Sequence, residues 1–384
     1  MLEDFTEEVR AFLDQELTPE LRSAGQQTSG LYSEIPACRV WHDRLYRKGW
    51  IAPAWPAEFG GTGWNYAQRF LFERECALND APVLFASGLR SIGPLIIALG
   101  TLDHKERYLP RILSGDDLWC QGFSETGAGS DLAALQTRAI KDGETYVVTG
   151  RKLWTTGAHL ANWMFALVRT QRASKPQDEI TFLLIDMATP GIRTSPIITL
   201  DGQHEFNEVV FDEVRVPAAN RMGAENDGWA CAKHLMRFAR SNNTNSSVLR
   251  RSWRALERTL ALHAGTIETG LRNRITEIEI ELASLESLEL RLLESGRLSG
   301  DDEVGASLIK IAATELQQTI SELMIDVAGP YAIASTSLRD SNSLLANGSY
   351  SGRKYFATRA ASIYSGTNEI HRSLIARHLG KIAF

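Results

Sequence analysis

The sequence predicts a mostly helical α+β protein in three parts. These are an N-terminal helical domain over 1–118, a middle antiparallel β-barrel or sandwich domain over 119–225 and a C-terminal helical bundle over 226–384. Three observations predict this. Apolar residues recur at helical spacing up to about residue 118, short β-branched and aromatic runs replace that period up to about 225, and the helical period returns after GAENDGWA. A chain of 384 residues also has the length of two or three cores rather than one.

Each element follows in order. Phe5, Val9, Phe12 and Leu13 form the apolar stripe of a first helix, with Pro19 read as its stop beyond Leu17. A second helix runs from about Pro36 to Lys48 and ends at Gly49, a residue type that tolerates the left-handed cap position. WPAEFGGTGWN reads as a rigid Pro/Gly turn, Tyr66 to Leu78 as a helix, and Leu95 to Leu99 as part of another stopped by Gly100. The middle third holds YVVTGRKLW, MFALVRT, ITFLLIDM and EVVFDEVRVP, separated by DG, PG and DG turn signals. No helix-length periodic segment lies between these runs, which argues against parallel βαβ units. In the last third, Ile278, Leu282, Leu285, Leu288 and Leu292 form a stripe, and Glu277, Glu279, Glu281, Glu286 and Glu289 read as a mostly solvated face. SGRLSGDD is a loop, about Ser307 to Val327 a helix stopped by Gly329-Pro330, and a last helix follows Gly366-Thr367 towards His378.

Composition excludes several function classes. The formal net charge of −6 gives no basic surplus for nucleic acid or an acidic membrane surface. No stretch approaches the run of apolar residues a membrane span needs. MLEDFTEEVR is acidic and amphipathic, unlike the start of a signal peptide, so a cytoplasmic protein is expected. Cys38, Cys76, Cys120 and Cys231 are too scattered for a CxxC site and too few for a disulfide framework, and are read as buried or free thiols. GxGxxG, GxxxxGK[ST], HExxH and GxSxG are all absent, and the His371/His378 spacing makes no metal site, so no metal is expected.

Three segments carry chemistry. Gln121-Gly-Phe-Ser-Glu-Thr-Gly-Ala-Gly-Ser-Asp131 has glycines that let a backbone approach a flat or phosphorylated ligand, with hydroxyls at Ser124 and Ser130. Arg151-Lys-Leu-Trp-Thr-Thr-Gly157 sets an indole, Trp154, beside the hydroxyls of Thr155 and Thr156, a pairing suited to a flat ring with polar edge atoms. Ile363-Tyr-Ser-Gly-Thr-Asn-Glu-Ile-His-Arg372 is a Gly turn feeding a helix whose first amides can meet a phosphate or carbonyl oxygen.

With these in order, the sequence resembles the acyl-CoA dehydrogenase superfamily across essentially its whole length. The stretches that carry the resemblance are WPAEFGGTGW, LPRILSGDD, QGFSETGAGSDLAALQTRA, GRKLWTTGAHLANW, NEVVFDEVRVP, ENDGWA and IYSGTNEIHRSLIARHLG. The nearest flavour is the bacterial branch with pimeloyl-CoA and steroid side-chain dehydrogenases. The resemblance implies FAD in the seam between the β-domain and the C-terminal bundle. Gln121, Phe123 and Ser124 then lie along the isoalloxazine, Ser130 near the pyrophosphate, Trp154 behind the flavin, and Thr155 and Thr156 at its edge with Thr156 close to N5. Thr367 and Glu369 meet the adenosine half, and Gly329 approaches it from a partner chain. The implied reaction removes an α-proton from an acyl-CoA thioester and passes the β-hydrogen as hydride to flavin N5, giving a trans-2-enoyl-CoA. Electrons then pass to an electron-transfer flavoprotein, and the implied assembly is a homotetramer or a heterotetramer with a base-bearing homologue.

Two departures stand out. The family's catalytic glutamate follows the Tyr of the C-terminal motif or precedes the Arg of the first C-terminal helix. Here those positions hold Ser365 and Ala239, the latter beside Arg240. Ser365 keeps a backbone N–H for the thioester oxygen, and Arg240 is the best candidate among Arg237, Arg240, Arg250, Arg251, Arg254 and Arg258 for the substrate side; the rest read as a solvated or salt-bridged face. Glu369 belongs to the FAD side, while His204, Glu205 and Glu208 read as surface or hinge hydrogen-bonding residues. LALHAGTIETGLRNR also lacks the R-x-x-F-G run that reaches FAD in an adjacent subunit. Three functions stay open: a dehydrogenase using another base, a base-less or FAD-carrying partner subunit in a heteromeric dehydrogenase, and a flavin monooxygenase or oxidase.

Overall fold

The computed structural model describes residues 2–243, 245–262, 268–295, 303–333 and 344–382, with backbone alone at 303, 333 and 381–382 and over 237–243 and 344–348. Most of the SGRLSGDD loop and part of LALHAGTIETGLRNR lie outside the described residues.

The N-terminal part is helical because its apolar residues fall on single faces. Helix α1 (Leu2–Glu16) buries Phe5, Val9 and Leu13. Pro19 does more than stop it: Pro19 opens α2 (Pro19–Gln26), and the Thr18 hydroxyl caps that helix by accepting from Leu21 N–H. In α3 (Ile35–Lys48), Gly49 closes the helix at φ 78°, where a side chain would be strained. A reciprocal Asn65/Gln68 capping box opens α4 (Tyr66–Leu78). A π-turn over Gly88–Ile92 runs into α5 (Gly93–Leu99), and α6 (Leu102–Ser114) follows with Pro110 inside it.

Strands then take over: β1 (Trp119–Gly122), β2 (Arg138–Asp142), β3 (Thr145–Thr156), β4 (Trp163–Arg169), β5 (Ile180–Asp186), β6 (Ile192–Ile198), β7 (His204–Pro217) and β8 (Arg221–Met222). The sheet order is β6-β7-β3-β2-β4-β5-β8, with β1 attached to β4. Most pairs are antiparallel, but β1 and β2 each pair with β4 in parallel, a feature the run pattern does not carry.

The C-terminal part comprises α7 (Gly228–Asn243), α8 (Ser246–Leu262), α9 (Thr269–Glu294), α10 (Glu303–Ala328), α11 (Leu344–Thr358) and α12 (Asn368–Ile382). Buried residues form three clusters. One joins the N-terminal helices to Phe123, Phe165 and Phe182 and to Cys231, Ala232 and Leu235 of α7. A second fills the bundle of α8, α9 and α10, and a third packs the sheet around Val148, Met164 and Phe211. Each fully buried aliphatic side chain contributes about 1.5–3 kcal/mol. Helix α7 therefore belongs by packing to the seam between the helical and β parts, and Ala239 and Arg240 lie on it. Their side chains are outside the described residues.

One reading needs correction here. Glu289 is not on a solvated face: it is 7% exposed and accepts the Ser246 N–H at 2.9 Å. It is four residues after Leu285 and three before Leu292, so it sits on the buried stripe, where the first N–H groups of α8 offer it donors. The arginines of α8 are largely paired, Arg250 with Glu286 at 2.6 Å, Arg254 with Glu257 at 3.0 Å and Arg258 with Asp80 at 3.1 Å. Cys38, Cys120 and Cys231 are buried, and all four cysteines are free. Among the described residues, no helix is long and apolar enough to cross a membrane.

Candidate flavin-binding surface

Strand β1 runs parallel to β4, with Gln121 opposite Phe165. The pleat turns the Gln121 side chain outward, while the next segment buries Phe123 edge-on to Phe165 at 5.8 Å and Phe182 at 6.0 Å. The loop from Ser124 to Asp131 tightens on itself through reciprocal Glu125–Ala128 backbone bonds of 3.0 and 3.1 Å. Ser130 is exposed, and a Cβ added at Gly127 or Gly129 would meet nothing within 4 Å. The packing of this chain does not require those glycines, and they leave the backbone open to close approach.

Across from this loop lies the end of β3. The Leu153 N–H donates to the Ser124 carbonyl at 2.8 Å, which joins the first two motif segments directly. Trp154 has φ 59° and its side chain is 53% exposed, edge-on to Phe206 at 6.1 Å. A large residue in the left-handed region is uncommon, and such strain concentrates at functional surfaces. Thr155 is fully buried; its carbonyl accepts from Asn207 Nδ2 at 3.0 Å, but its hydroxyl has no hydrogen-bond partner. Thr156 is half-buried opposite Phe206. An exposed indole beside an enclosed, unpartnered hydroxyl and an open glycine loop fits a flat heteroaromatic ring with its own acceptors.

The third segment is held from below. Ser365 and Gly366 turn the chain at φ 57° and 89°. The Ser365 carbonyl can only accept, so His371 Nε2 donates to it at 3.2 Å, while Nδ1 pairs with the Ser307 hydroxyl at 3.0 Å. Lys310, fully buried, donates to Ala361 O at 3.0 Å and Asn368 Oδ1 at 2.9 Å, and burial pulls its pKa down to about 8. Thr367 caps α12 by accepting the Ile370 N–H at 3.3 Å, and Glu369 is exposed in that first turn. The Glu369 carboxyl is held below its ordinary range by its own N–H and the Thr367 hydroxyl. The Ser365 side chain is exposed, and its N–H donates to no described residue. Gly329 lies 19 residues along from Lys310, about 28 Å at helical rise, and so far from the Lys310–Asn368 contact.

Three residues that the sequence reading did not assign to the site tie these segments together. Lys152 and Glu125 form a buried pair at 2.7 Å under the β1 loop. Glu205, read as a surface or hinge residue, joins three parts of the chain. Its carboxylate accepts the Leu31 N–H at 2.8 Å, its carbonyl accepts the Gly157 N–H at 2.7 Å, and its charge adds to the burial of the Tyr364 hydroxyl, which together push that hydroxyl up to about 12, burial having the larger effect. Burial raises the Glu205 carboxyl itself to about 7. GRKLW does place a lysine in an apolar strand, a signal that a buried partner is needed; nothing local in the sequence names Glu125 as that partner.

Comparison with known proteins identifies the family. The chain matches the acyl-CoA dehydrogenase N-terminal domain over residues 2–116, the middle domain over 120–214 and the C-terminal domain over 226–380. The chain belongs to the acyl-CoA dehydrogenase family. It is 34% identical to the acyl-CoA dehydrogenase IpdE1 of Mycobacterium tuberculosis, over 98% of this chain and 97% of that protein. It is 32% identical to the acyl-CoA dehydrogenase FadE26 of the same organism, over 97% and 95%. Among solved structures, the Tcur3481-Tcur3483 steroid ACAD aligns with a TM-score of 0.84 at 25% identity, covering 99% of this chain and 97% of that one. The ChsE4-ChsE5 complex from Mycobacterium tuberculosis aligns with a TM-score of 0.81 at 29% identity, covering 98% and 97%. Members of this family are FAD-dependent flavoproteins and oxidoreductases.

Proposed function

We propose that this chain binds FAD against the Gln121–Ser130 loop and the Trp154–Thr156 strand end and takes part in the α,β-dehydrogenation of an acyl-CoA thioester to a trans-2-enoyl-CoA. The observation that carries the reading is Trp154, held exposed at φ 59° beside the unpartnered Thr155 hydroxyl. When bound, FAD supplies the hydride acceptor. The chain's own residues do the rest. Trp154 offers an apolar face, with the buried Phe123 packed beneath the loop, Thr156 offers a hydroxyl at the ring edge beside the enclosed Thr155, and Ser130 with the open glycines receives the phosphates. Thr367 and Glu369 lie towards the adenosine half, and Gly329 serves the same half of a partner's cofactor. The Ser365 N–H polarises the thioester oxygen, a contribution any non-proline side chain preserves. Arg240 is assigned to the substrate side. Electrons leave to an electron-transfer flavoprotein, and the working assembly is a tetramer in the cytoplasm.

Proton removal is the weak step. A serine hydroxyl is barely ionised at neutral pH and is hydrogen-bonded to no base among the described residues, and alanine at 239 offers nothing. A specific observation favours a second reading. Both base positions lack a carboxylate, and two of the similar solved structures bear the names of two proteins, Tcur3481-Tcur3483 and ChsE4-ChsE5. On that reading the chain is the base-less subunit of a heteromeric acyl-CoA dehydrogenase, acting on steroid-derived acyl groups. Anaerobic titration with acyl-CoAs, read at the flavin absorbance, separates the two. Bleaching by the chain alone supports a self-sufficient dehydrogenase, and bleaching only after a base-bearing homologue is added supports the paired subunit. Flavin that stays oxidised in both arms rejects both.

A further inference from the structure

We propose that the buried Lys152–Glu125 pair is the positioning device of the flavin-binding surface, fixing the Phe123–Ser124 side and the Trp154–Thr156 side at one separation and holding Trp154 in its exposed, left-handed conformation. The proposal rests on the FAD reading above.

Alternation along β3 would send Trp154 to the same side as Lys152, two residues earlier. Lys152 is 0% exposed and Trp154 is 53% exposed, so the strand must reverse between them. The reversal is visible as a register break against β7 between Lys152 and Thr155, together with the positive φ at Trp154. Such a conformation persists only when residues on both sides are pinned. Downstream, Thr155 is buried and bonded to Asn207. Upstream the pin is Lys152, whose Nζ donates to Glu125 Oε1 at 2.7 Å and to Phe123 O at 3.2 Å.

Glu125 extends the clamp. It accepts the Gln136 N–H at 2.6 Å and the Thr137 N–H at 3.0 Å, so one carboxylate ties the loop, the entrance to β2 and the core of β3. The Leu153 N–H to Ser124 O bond closes the ring of contacts. Burying the ammonium pulls the Lys152 pKa down to about 8, while the ammonium and the two amides hold the Glu125 carboxyl below its ordinary range against the opposing effect of burial. Apolar replacements of a buried pair often keep stability, so stability alone does not require an ion pair here. Phe123, which Lys152 reaches, is itself a candidate flavin contact, and Lys152 lies two residues before Trp154, where separation and orientation matter to within a fraction of an ångström.

The test uses full-length protein and FAD itself. Lys152→Met, and the neutralised pair Lys152→Met/Glu125→Gln should the single change prevent folding, are compared with Leu13→Ala, a cavity variant on α1 away from this surface. Melting temperature, FAD dissociation constant and the circular dichroism of the bound flavin are read for each. Both Lys152 variants are expected to bind FAD about tenfold or more weakly and to change the flavin dichroism. Leu13→Ala is expected to lose melting temperature with flavin properties unchanged. FAD affinity and dichroism equal to wild type in a folded Lys152 variant overturn the proposal. So does a loss that Leu13→Ala reproduces at equal melting temperature, which would make the pair's role general stability. Wild-type protein that takes up no FAD overturns the functional reading with it, whereas retention by both wild type and variants removes this proposal alone.

Discussion

Ser365→Glu places a carboxylate directly after Tyr364, where the family keeps its base in many members. The backbone at 365 already has φ 57°, a conformation that costs roughly 1–2 kcal/mol for any residue bearing a Cβ, so glutamate adds no new strain. The serine side chain is exposed, and the turn is anchored independently of it, through the Ser365 carbonyl to His371 Nε2 at 3.2 Å and through Lys310 to Ala361 and Asn368. The fold should therefore accept the change with little loss of stability. A positioned general base accelerates proton abstraction by about 10²- to 10⁴-fold, or about 3–5.5 kcal/mol of barrier. Ala239→Glu, on α7, tests the family's other base position and is made separately. The assay is anaerobic stopped-flow reduction of the FAD-loaded protein by acyl-CoA. One of the two variants should reduce its flavin within that range faster than wild type. If neither does while both hold FAD and bind acyl-CoA, the missing carboxylate is not what limits this chain.

Trp154→Gly separates stability from function: glycine relieves the positive φ and the lost indole is half-exposed, so the melting temperature should hold or rise while FAD affinity falls. Equal loss of both would show that the indole is packing material rather than a cofactor face. Glu289→Gln tests linkage. Burial raises the Glu289 carboxyl from 4.5 to about 7, so the native state binds more protons than the unfolded chain between those values. Its favourable contribution is complete below pH 4.5 and is lost as pH rises through 7, leaving a buried carboxylate that costs about 3 kcal/mol. The variant should melt higher than wild type at pH 8 and equally at pH 4.5. A pH-independent difference would show that Glu289 titrates like an exposed glutamate.

The sequence carried the architecture further than the site. Helix α4 runs from Tyr66 to Leu78 as its spacing predicts, because Asn65 and Gln68 mark its start locally. Local signals misled where one residue serves two roles. Pro19 ends one helix and begins the next, and Pro110 sits inside α6, which was not read as a helix at all. Glu289 shows a different limit: its spacing put it on the apolar stripe while its charge argued for solvent, and the deciding donor, Ser246 N–H, lies 43 residues away. The exposed Trp154 and the open glycines are recognisable as motif residues. Lys152 and Glu125 lie in the same segments, but their pairing, like the contacts of Glu205, is not legible there, since the partners come together only when β1, β3, β7 and the 28–33 loop meet.

The central claim is that this family member combines a flavin-binding surface and a thioester-polarising N–H with no carboxylate at either base position. The most direct measurement is anaerobic acyl-CoA titration of the purified protein after FAD loading, with flavin absorbance and enoyl-CoA followed together. The account predicts bound flavin that bleaches as enoyl-CoA forms in equal amount, slowly in the wild type and faster once a glutamate is restored at 365 or 239 or a base-bearing homologue is added. Protein that takes up no FAD, or flavin that stays oxidised under every one of these conditions, would contradict it.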